Sequence, residues 1–253
     1  RQIVKIHYDK AIAPEASFQQ YGVEDPRISV IAGSWYMTVC CVSAERLCTA
    51  LYVSVNGLDY RLQGVVLDHQ NKDMVLFEGK VAQKFWALTR PLGDVYFAPP
   101  PDSVHVGGPA IQFAQSPDAL HWKPADRPGI RPRRGTPAAS RIGGGSPPVP
   151  TAKGWLMLYH GVSRETDDVV GTYRTFWALL DRNDPAEILR VEDMAPLVEA
   201  APALTDPLAD RLYLPSPVVF TTGIADAGDH YIVASGEADL ACRITHIAKE
   251  RFD

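Results

Sequence analysis

The sequence predicts an all-β fold of the propeller type, on three observations. First, four times a loop or strand loaded with charge or proline is followed by a short strand rich in Trp, Tyr and Phe. The pairs are Asp25-Pro26-Arg27-Ile28 then Trp35-Tyr36-Met37, Asn71-Lys72-Asp73-Met74 then Phe85-Trp86-Ala87-Leu88, Gly145-Ser146-Pro147-Pro148 then Trp155-Leu156-Met157-Leu158, and Ser216-Pro217-Val218-Val219 then His230-Tyr231-Ile232-Val233. Their irregular spacing of about 50–75 residues is long for a propeller blade but within reach of one with long loops. Second, apolar runs are short and broken by Gly, Pro, Asn and Asp. Third, Ser54-Val55-Asn56-Gly57-Leu58-Asp59-Tyr60 and Ser116-Pro117-Asp118-Ala119-Leu120-His121-Trp122 share one pattern, each after an apolar strand. Each is expected to close a hairpin at the same place in successive blades.

In chain order, the strand-like runs are Val30 to Val42, Leu47 to Val55, Phe85 to Thr89, Trp155 to Tyr159 and Phe176 to Leu180. Pro-rich segments at Ala98 to Pro101, Pro124 to Pro137 and Ala201 to Pro207 read as solvated loops between blades, the middle one carrying Arg127, Arg131, Arg133 and Arg134. The one helical signal is Asp184-Pro185-Ala186-Glu187-Ile188-Leu189, with Asp184 as N-cap and Pro185 at the first position. No segment is long enough to link two domains, so residues 1–253 read as a single domain.

The 253 residues are 46% hydrophobic and 22% charged, the balance of a globular protein. A formal net charge of −5 argues against nucleic acid or an anionic membrane as the main partner. No run reaches the roughly 18 apolar residues of a membrane helix. The four cysteines, Cys40, Cys41, Cys48 and Cys242, read as free thiols of a reducing compartment, because Cys40 and Cys41 point to opposite faces of one strand. The expectation is therefore a cytoplasmic protein, although the chain begins at Arg1 rather than Met, which leaves a leader ahead of it open. His69, His105, His121, His230 and His246 lack metal-ligand spacing, and no Gly-x-Ser-x-Gly elbow is present.

Several motifs together resemble glycoside hydrolase family 130, the β-mannoside phosphorylases and mannosidases. They are Tyr21-Gly22-Val23-Glu24-Asp25-Pro26-Arg27-Ile28, Asn71-Lys72-Asp73-Met74-Val75-Leu76-Phe77, Leu88-Thr89-Arg90-Pro91 and the Ser116 to Trp122 segment. Arg141-Ile142-Gly143-Gly144-Gly145-Ser146-Pro147-Pro148, Gly154-Trp155-Leu156-Met157-Leu158-Tyr159-His160-Gly161-Val162 and Ala178-Leu179-Leu180-Asp181 continue the match. Val218-Val219-Phe220 with Gly223, then Gly236-Glu237-Ala238-Asp239, complete it. The resemblance implies a five-bladed β-propeller whose first blade, ahead of Tyr21, is largely absent from this chain.

It also implies chemistry. Asp25 would be the general acid of an inverting phosphorolysis, acting through a sugar hydroxyl, with Glu24 and Arg27 pulling its pKa in opposite directions. Lys72, Arg90, Arg141 and His160 match the positions that hold inorganic phosphate, the co-substrate; no cofactor or metal is implied. A phosphate dianion needs such cations and donors, and the alternative is separate surface cations, each paired with a local carboxylate. Asp239 matches a mannose-binding carboxylate. Asn71, Asp73, Arg27 and Tyr159 are further sugar-binding candidates, with Tyr21 a possible pocket aromatic; Trp35, Trp86 and Trp155 read as core. The substrate implied is an oligosaccharide, a β-mannoside, and a homo-oligomer is compatible because oligomerisation often shapes the acceptor subsite in this family.

There are departures. Some phosphorylases of the family have Arg-Asn where this chain has Lys72-Asp73, most have Lys at Arg141, and Glu237 replaces a small residue. A carboxylate at Glu237 would suit a base for water, so an inverting β-mannosidase is the first alternative. A sugar-binding propeller without catalysis is the second. Gly143-Gly144-Gly145 lacks the helix of a phosphate-cradling loop and reads as room for the backbone to approach substrate.

Overall fold

Alternation and turn chemistry divide the chain into four antiparallel sheets. The computed structural model describes residues 5–68, 70–92, 98–164, 169–214 and 216–252. The first sheet runs β1 (Gly22–Ile31), β2 (Ser34–Val42), β3 (Leu47–Ser54) and β4 (Arg61–Leu67) in order. The second is β5 (Asn71–Val81), β6 (Lys84–Pro91), β7 (Gln112–Ser116) and β8 (Lys123–Pro124). The third holds β9 (Arg141–Gly144) and β10 (Val149–Thr151), both paired to β11 (Gly154–Ser163), then β12 (Thr172–Leu180) and β13 (Ile188–Glu192). The fourth is β14 (Val219–Asp226), β15 (His230–Glu237) and β16 (Ala241–Ala248).

The sheets pack in sequence, β1 lying against β5 and β14, β5 against β9 and β10, and β14 against β11 and β12. This is a propeller arrangement with four blades among the described residues, where five were expected. Residues 5–21, the stretch just ahead of the first sheet, contribute no strand and hold only two short 3-10 turns, Tyr8–Lys10 and Ser17–Gln19. The buried Gln19 amide anchors this stretch by donating to Tyr52 Oη at 2.8 Å.

The core lies between sheets, as stacked blades require. Phe77 of β5 meets Trp155 of β11 edge-on at 5.3 Å, and Trp177, Tyr231 and Phe252 fill the space between the third and fourth blades. Trp86 and Trp155 are core, as expected, but Trp35 is 36% exposed and lies over Gly57. Gly57 sits at φ +73°, and a side chain there would press on that indole.

The repeated Ser-x-Asn/Asp pattern folds the same way twice. The Ser54 and Ser116 hydroxyls meet Asn56 Oδ1 and Asp118 Oδ1 at 3.0 and 3.1 Å. The same Oδ1 atoms each accept two amides at 2.9 Å, from Leu58 and Asp59 and from Leu120 and His121. Both turns join the third and fourth strands of their blade. In the third blade Asp181 does this work alone, accepting the Asn183 and Asp184 amides at 2.8 and 3.0 Å. The turn expected at Asp184 forms but does not extend into a helix. Asp184 caps only a single turn, Glu187 N donating to its carbonyl, because Ile188 onwards pairs with β12 as β13.

Cys41 and Cys48 stand directly opposite each other on β2 and β3, free and fully buried, while Cys242 is exposed. Burial raises the thiol of Cys48 to about 11. The Arg loop ties blades together rather than merely facing solvent. Arg127 pairs with Asp184 and Glu187, and Arg133 grips the buried Asp193 carboxylate with Nε at 2.6 Å and Nη2 at 2.5 Å. Removing Arg133 leaves Asp193 without that fork, so Arg133→Ala should lose about 1–3 kcal/mol of stability in urea unfolding. Arg134→Ala, at the exposed neighbour, should stay within about 0.5 kcal/mol. Equal midpoints for the two variants would show that the tie contributes nothing.

Candidate active site

The strands that line the centre are all irregular, and the irregularities aim the polar side chains. β1 bulges between Glu24 and Arg27, β5 between Lys72 and Val75, and β14 between Thr221 and Gly223. In the third blade the inner strand is interrupted outright between β9 and β10, at residues 145–148. A bulge kinks its strand and redirects one side chain. Asp25 and Asp73, at equivalent bulges, both take φ +52°, a left-handed conformation that Asp tolerates better than most residues. The three-residue turn after β15, Ala238-Asp239-Leu240, places Asp239 at φ +55°.

These residues meet in one pocket of about 240 Å³, lined by Asp25, Lys72, Asp73, Arg90, His160 and Asp239 with Val170, Tyr173, Leu214, Val218 and Phe220. It is smaller than the open cleft of about 810 Å³ beside the outer strands of the first blade. The charged residues of that cleft, Asp9, Lys10, Glu15, Asp59 and Arg61, are exposed, with Lys10 Nζ 2.5 Å from Asp59, whereas Asp73, Arg90 and His160 of the central pocket are buried. Arg90 and His160 occupy matching places near the ends of β6 and β11, opposite Lys72 and Gly143 on the inner strands.

Arg90 Nε lies 2.7 Å from Asp73 Oδ2, His160 Nε2 lies 3.6 Å from the same oxygen, and Arg27 Nη2 lies 3.9 Å from Oδ1. None of these contacts is aligned as a hydrogen bond. Both Asp73 oxygens, Arg90 Nε, Arg27 Nη2 and both His160 ring nitrogens are buried without a hydrogen-bond partner in the protein. Donors and acceptors left in this state suit a polar ligand. The site is thus a pocket of buried, unpartnered donors and acceptors with a carboxylic side chain, Asp25, on its wall.

Burial, reinforced by Arg90, Arg27 and Arg141, holds His160 well below its ordinary pKa of 6.5, so it is the neutral imidazole. Burial also lowers Arg27, against Asp73 and Asp25. For Lys72 burial is outweighed by Cys40, Asp25 and Glu24, which hold its ammonium above the usual range; Glu24 Oε2 is 3.4 Å away.

Other expected site residues stand behind or away from the pocket. Arg141 turns aside, its Nη2 donating to Val170 O at 2.6 Å and Tyr173 Oη at 2.7 Å, so it buttresses the wall. Asn71 accepts from Arg90 N at 3.3 Å and fixes that strand. Tyr159 is core, stacked on Phe176 with its hydroxyl donating to Glu192 O, and Tyr21 is exposed outside the pocket. Glu237 points away: its carboxylate accepts from Arg243 Nη1 at 2.8 Å and Ala201 N at 3.1 Å, which occupies it as a structural clasp. Gly143 makes room for protein rather than substrate, since a methyl there would collide with Asp73 Oδ2 and come within 2.6 Å of the His160 ring.

Sequence reasoning missed Tyr173 and Phe220, whose rings flank His160 at 5.6 and 4.9 Å, and Tyr213, whose hydroxyl donates to Asp239 Oδ2 at 3.0 Å. Tyr173 opens the strand that pairs with the one carrying His160, and that placement was the available signal. Among the described residues no His, Cys, Asp and Glu cluster could hold a metal; His69 lies outside them. No helix among them is long and apolar enough to cross a membrane.

A neutral buried His160 makes stability pH-dependent. Below 6.5 the unfolded chain binds a proton that the folded site refuses, so stability falls as pH drops. The expected slope from this group is up to about 1.4 kcal/mol per pH unit. His160→Gln should flatten the melting-temperature profile below pH 6.5, and parallel profiles for both proteins would count against the neutral imidazole.

The chain resembles known proteins in sequence and in fold. The model of glycoside hydrolase family 130, described as beta-1,4-mannooligosaccharide phosphorylase, matches residues 4–252. The chain is 31% identical over 231 residues to a beta-1,2-mannobiose phosphorylase of Listeria innocua, covering 90% of this chain and 58% of that protein. It is 32% identical over 237 residues to a 1,2-beta-oligomannan phosphorylase of a Thermoanaerobacter species, covering 91% and 70%. The structure of the Listeria innocua enzyme with beta-1,2-mannobiose superposes with a TM-score of 0.78 at 28% identity, covering 94% of this chain and 61% of that one. The chain therefore spans about three fifths of that relative's length. With a family model matching residues 4–252 and a relative above 30% identity, the chain belongs to glycoside hydrolase family 130.

Proposed function

We propose that this chain carries the catalytic centre of an inverting β-mannoside phosphorylase, as a single domain. The observation that carries the reading is the convergence of Asp25 with Lys72, Arg90 and neutral His160 in one pocket. In this reading Asp25 delivers a proton towards the leaving sugar oxygen, directly or through a substrate hydroxyl. Phosphate, held by Lys72 and Arg90 and accepting from His160, attacks the anomeric carbon from the opposite face. The C–O bond to the leaving sugar breaks as the C–O bond to phosphate forms, giving α-mannose 1-phosphate and a sugar shorter by one unit. Asp239, steadied by Tyr213, holds mannose hydroxyls. The phosphorylase names of the relatives favour phosphate over water, and the occupied carboxylate of Glu237 removes the candidate base for water.

We also read the four sheets as part of a five-bladed propeller. An apolar cavity of about 410 Å³ against Val23, Met37, Val39 and Tyr60, together with exposed Ile244 on β16, is the kind of face a further sheet covers. A full-length structure with no strand against either face would refute this. The buried free thiols fit a reducing, cytoplasmic setting, and a homo-oligomer stays compatible with the site.

Incubation of the full-length protein with β-1,2- or β-1,4-mannobiose, with and without inorganic phosphate, tests the activity. Phosphate-dependent mannose 1-phosphate is expected; free mannose regardless of phosphate would make it a mannosidase, and no turnover would leave a sugar-binding module. Asp25→Asn should lower kcat by about 10²–10⁴-fold, the usual worth of a general acid. Full activity in that variant would remove Asp25 from the role.

A further inference from the structure

The pocket contains its own anion. Asp73 is 5% exposed, on a left-handed bulge, with its carboxylate laid against the bare Cα of Gly143. Three independent features therefore hold it in place: the backbone of β5, the missing side chain at 143, and Arg90 at 2.7 Å. Its two oxygens face the Arg90 and Arg27 guanidiniums from within the pocket.

The charge of the two buried guanidiniums is compensated from inside the site. The Asp73 carboxylate lies 2.7 Å from Arg90 and 3.9 Å from Arg27, and burial keeps His160 neutral. Hydrogen-bonding capacity is not used up in the same way, because Arg90 Nε and Arg27 Nη2 have no aligned acceptor. The pocket thus offers donors whose charge is already compensated. Such a site attracts a phosphate dianion less than its cations alone would, because entry sets one anion beside another.

We propose that Asp73 is the residue that sets the choice of nucleophile, holding phosphate affinity low by compensating Arg90 and Arg27. This rests on the reading of the pocket as the phosphate site. It differs from that reading in naming the group that opposes phosphate rather than those that attract it. Replacing the charge while keeping the shape should turn a weak phosphate site into a strong one, a gain that a purely structural role for Asp73 would not produce.

The test is phosphate binding to the full-length protein without sugar, by titration calorimetry and by the melting temperature with and without phosphate. Asp73→Asn should bind phosphate at least tenfold more tightly than the unmodified protein and show a larger phosphate-dependent rise in melting temperature. With mannobiose added, its KM for phosphate should fall. An unchanged or weaker phosphate affinity in the variant overturns the proposal. Asp73→Ser, which removes the same charge in a smaller side chain, carries the test if the Asn variant does not fold. Binding and turnover separate the two ideas. Tighter phosphate binding without any phosphorolysis in the unmodified protein sustains the role of Asp73 and refutes the phosphorylase reading alone.

Discussion

One buried guanidinium touches all four blades. Arg27 is fully enclosed on β1, where its Nη1 donates to Asp25 O at 3.0 Å. Its Nε donates to Gly145 O of the third blade at 2.8 Å, its Nη2 faces Asp73 of the second, and its Cζ lies 4.9 Å from the Phe220 ring of the fourth. A charge removed from water in this way is tolerated only with a partner and with hydrogen bonds for its donors. The inner strands meet those needs by departing from regular pairing. The interruption after β9 frees the Gly145 carbonyl, and the bulge in β5 turns Asp73 inwards.

The same departures make the site. A bulge that lets Arg27 reach the axis also sets Asp25 at left-handed φ on the pocket wall, two residues earlier in the chain. In β5 the corresponding bulge separates Lys72 and Asp73, so that a cation and an anion enter the pocket side by side. Regular strands would send alternate residues to opposite faces and could not supply this arrangement. Support of the blades around the axis and presentation of the polar groups are consequently one structural problem, solved by one set of irregularities.

What could be read from the sequence divides along the same line. Local devices were legible: the Ser54 and Ser116 turns rest on side chains bonding amides a few residues away, so a short pattern defines them. The convergence of Asp25, Lys72, Arg90, His160 and Asp239 was legible through family motifs, because all five sit on inner strands, at the ends of their neighbours, or in the turn after β15. Non-local competition for a side chain was not legible. Glu237 looked like a free carboxylate until Arg243 and the Ala201 amide claimed it, and Arg141 looked like a phosphate ligand until Tyr173 and Val170 turned it aside. The turn at Asp184 goes no further for a related reason. Its cap and proline were sound, but pairing along β12 was worth more than a turn of helix.

Asp73 is where the demands of folding and binding oppose each other. Before any ligand enters, Arg27 and Arg90 are buried on either side of Asp73, and Arg90 lowers the stability of the charged Arg27. An internal carboxylate between them relieves that repulsion and lets the axis fold with its cations in place. The relief is not selective, since every increment of field that Asp73 cancels for the empty site is also withdrawn from an incoming anion. A site that relied on external phosphate for the same compensation would bind it tightly but would be less stable when empty. The balance between nucleophiles in this pocket is thus set by a residue that the fold needs for Arg27, and affinity for the anion is bounded by the stability of the axis that holds it.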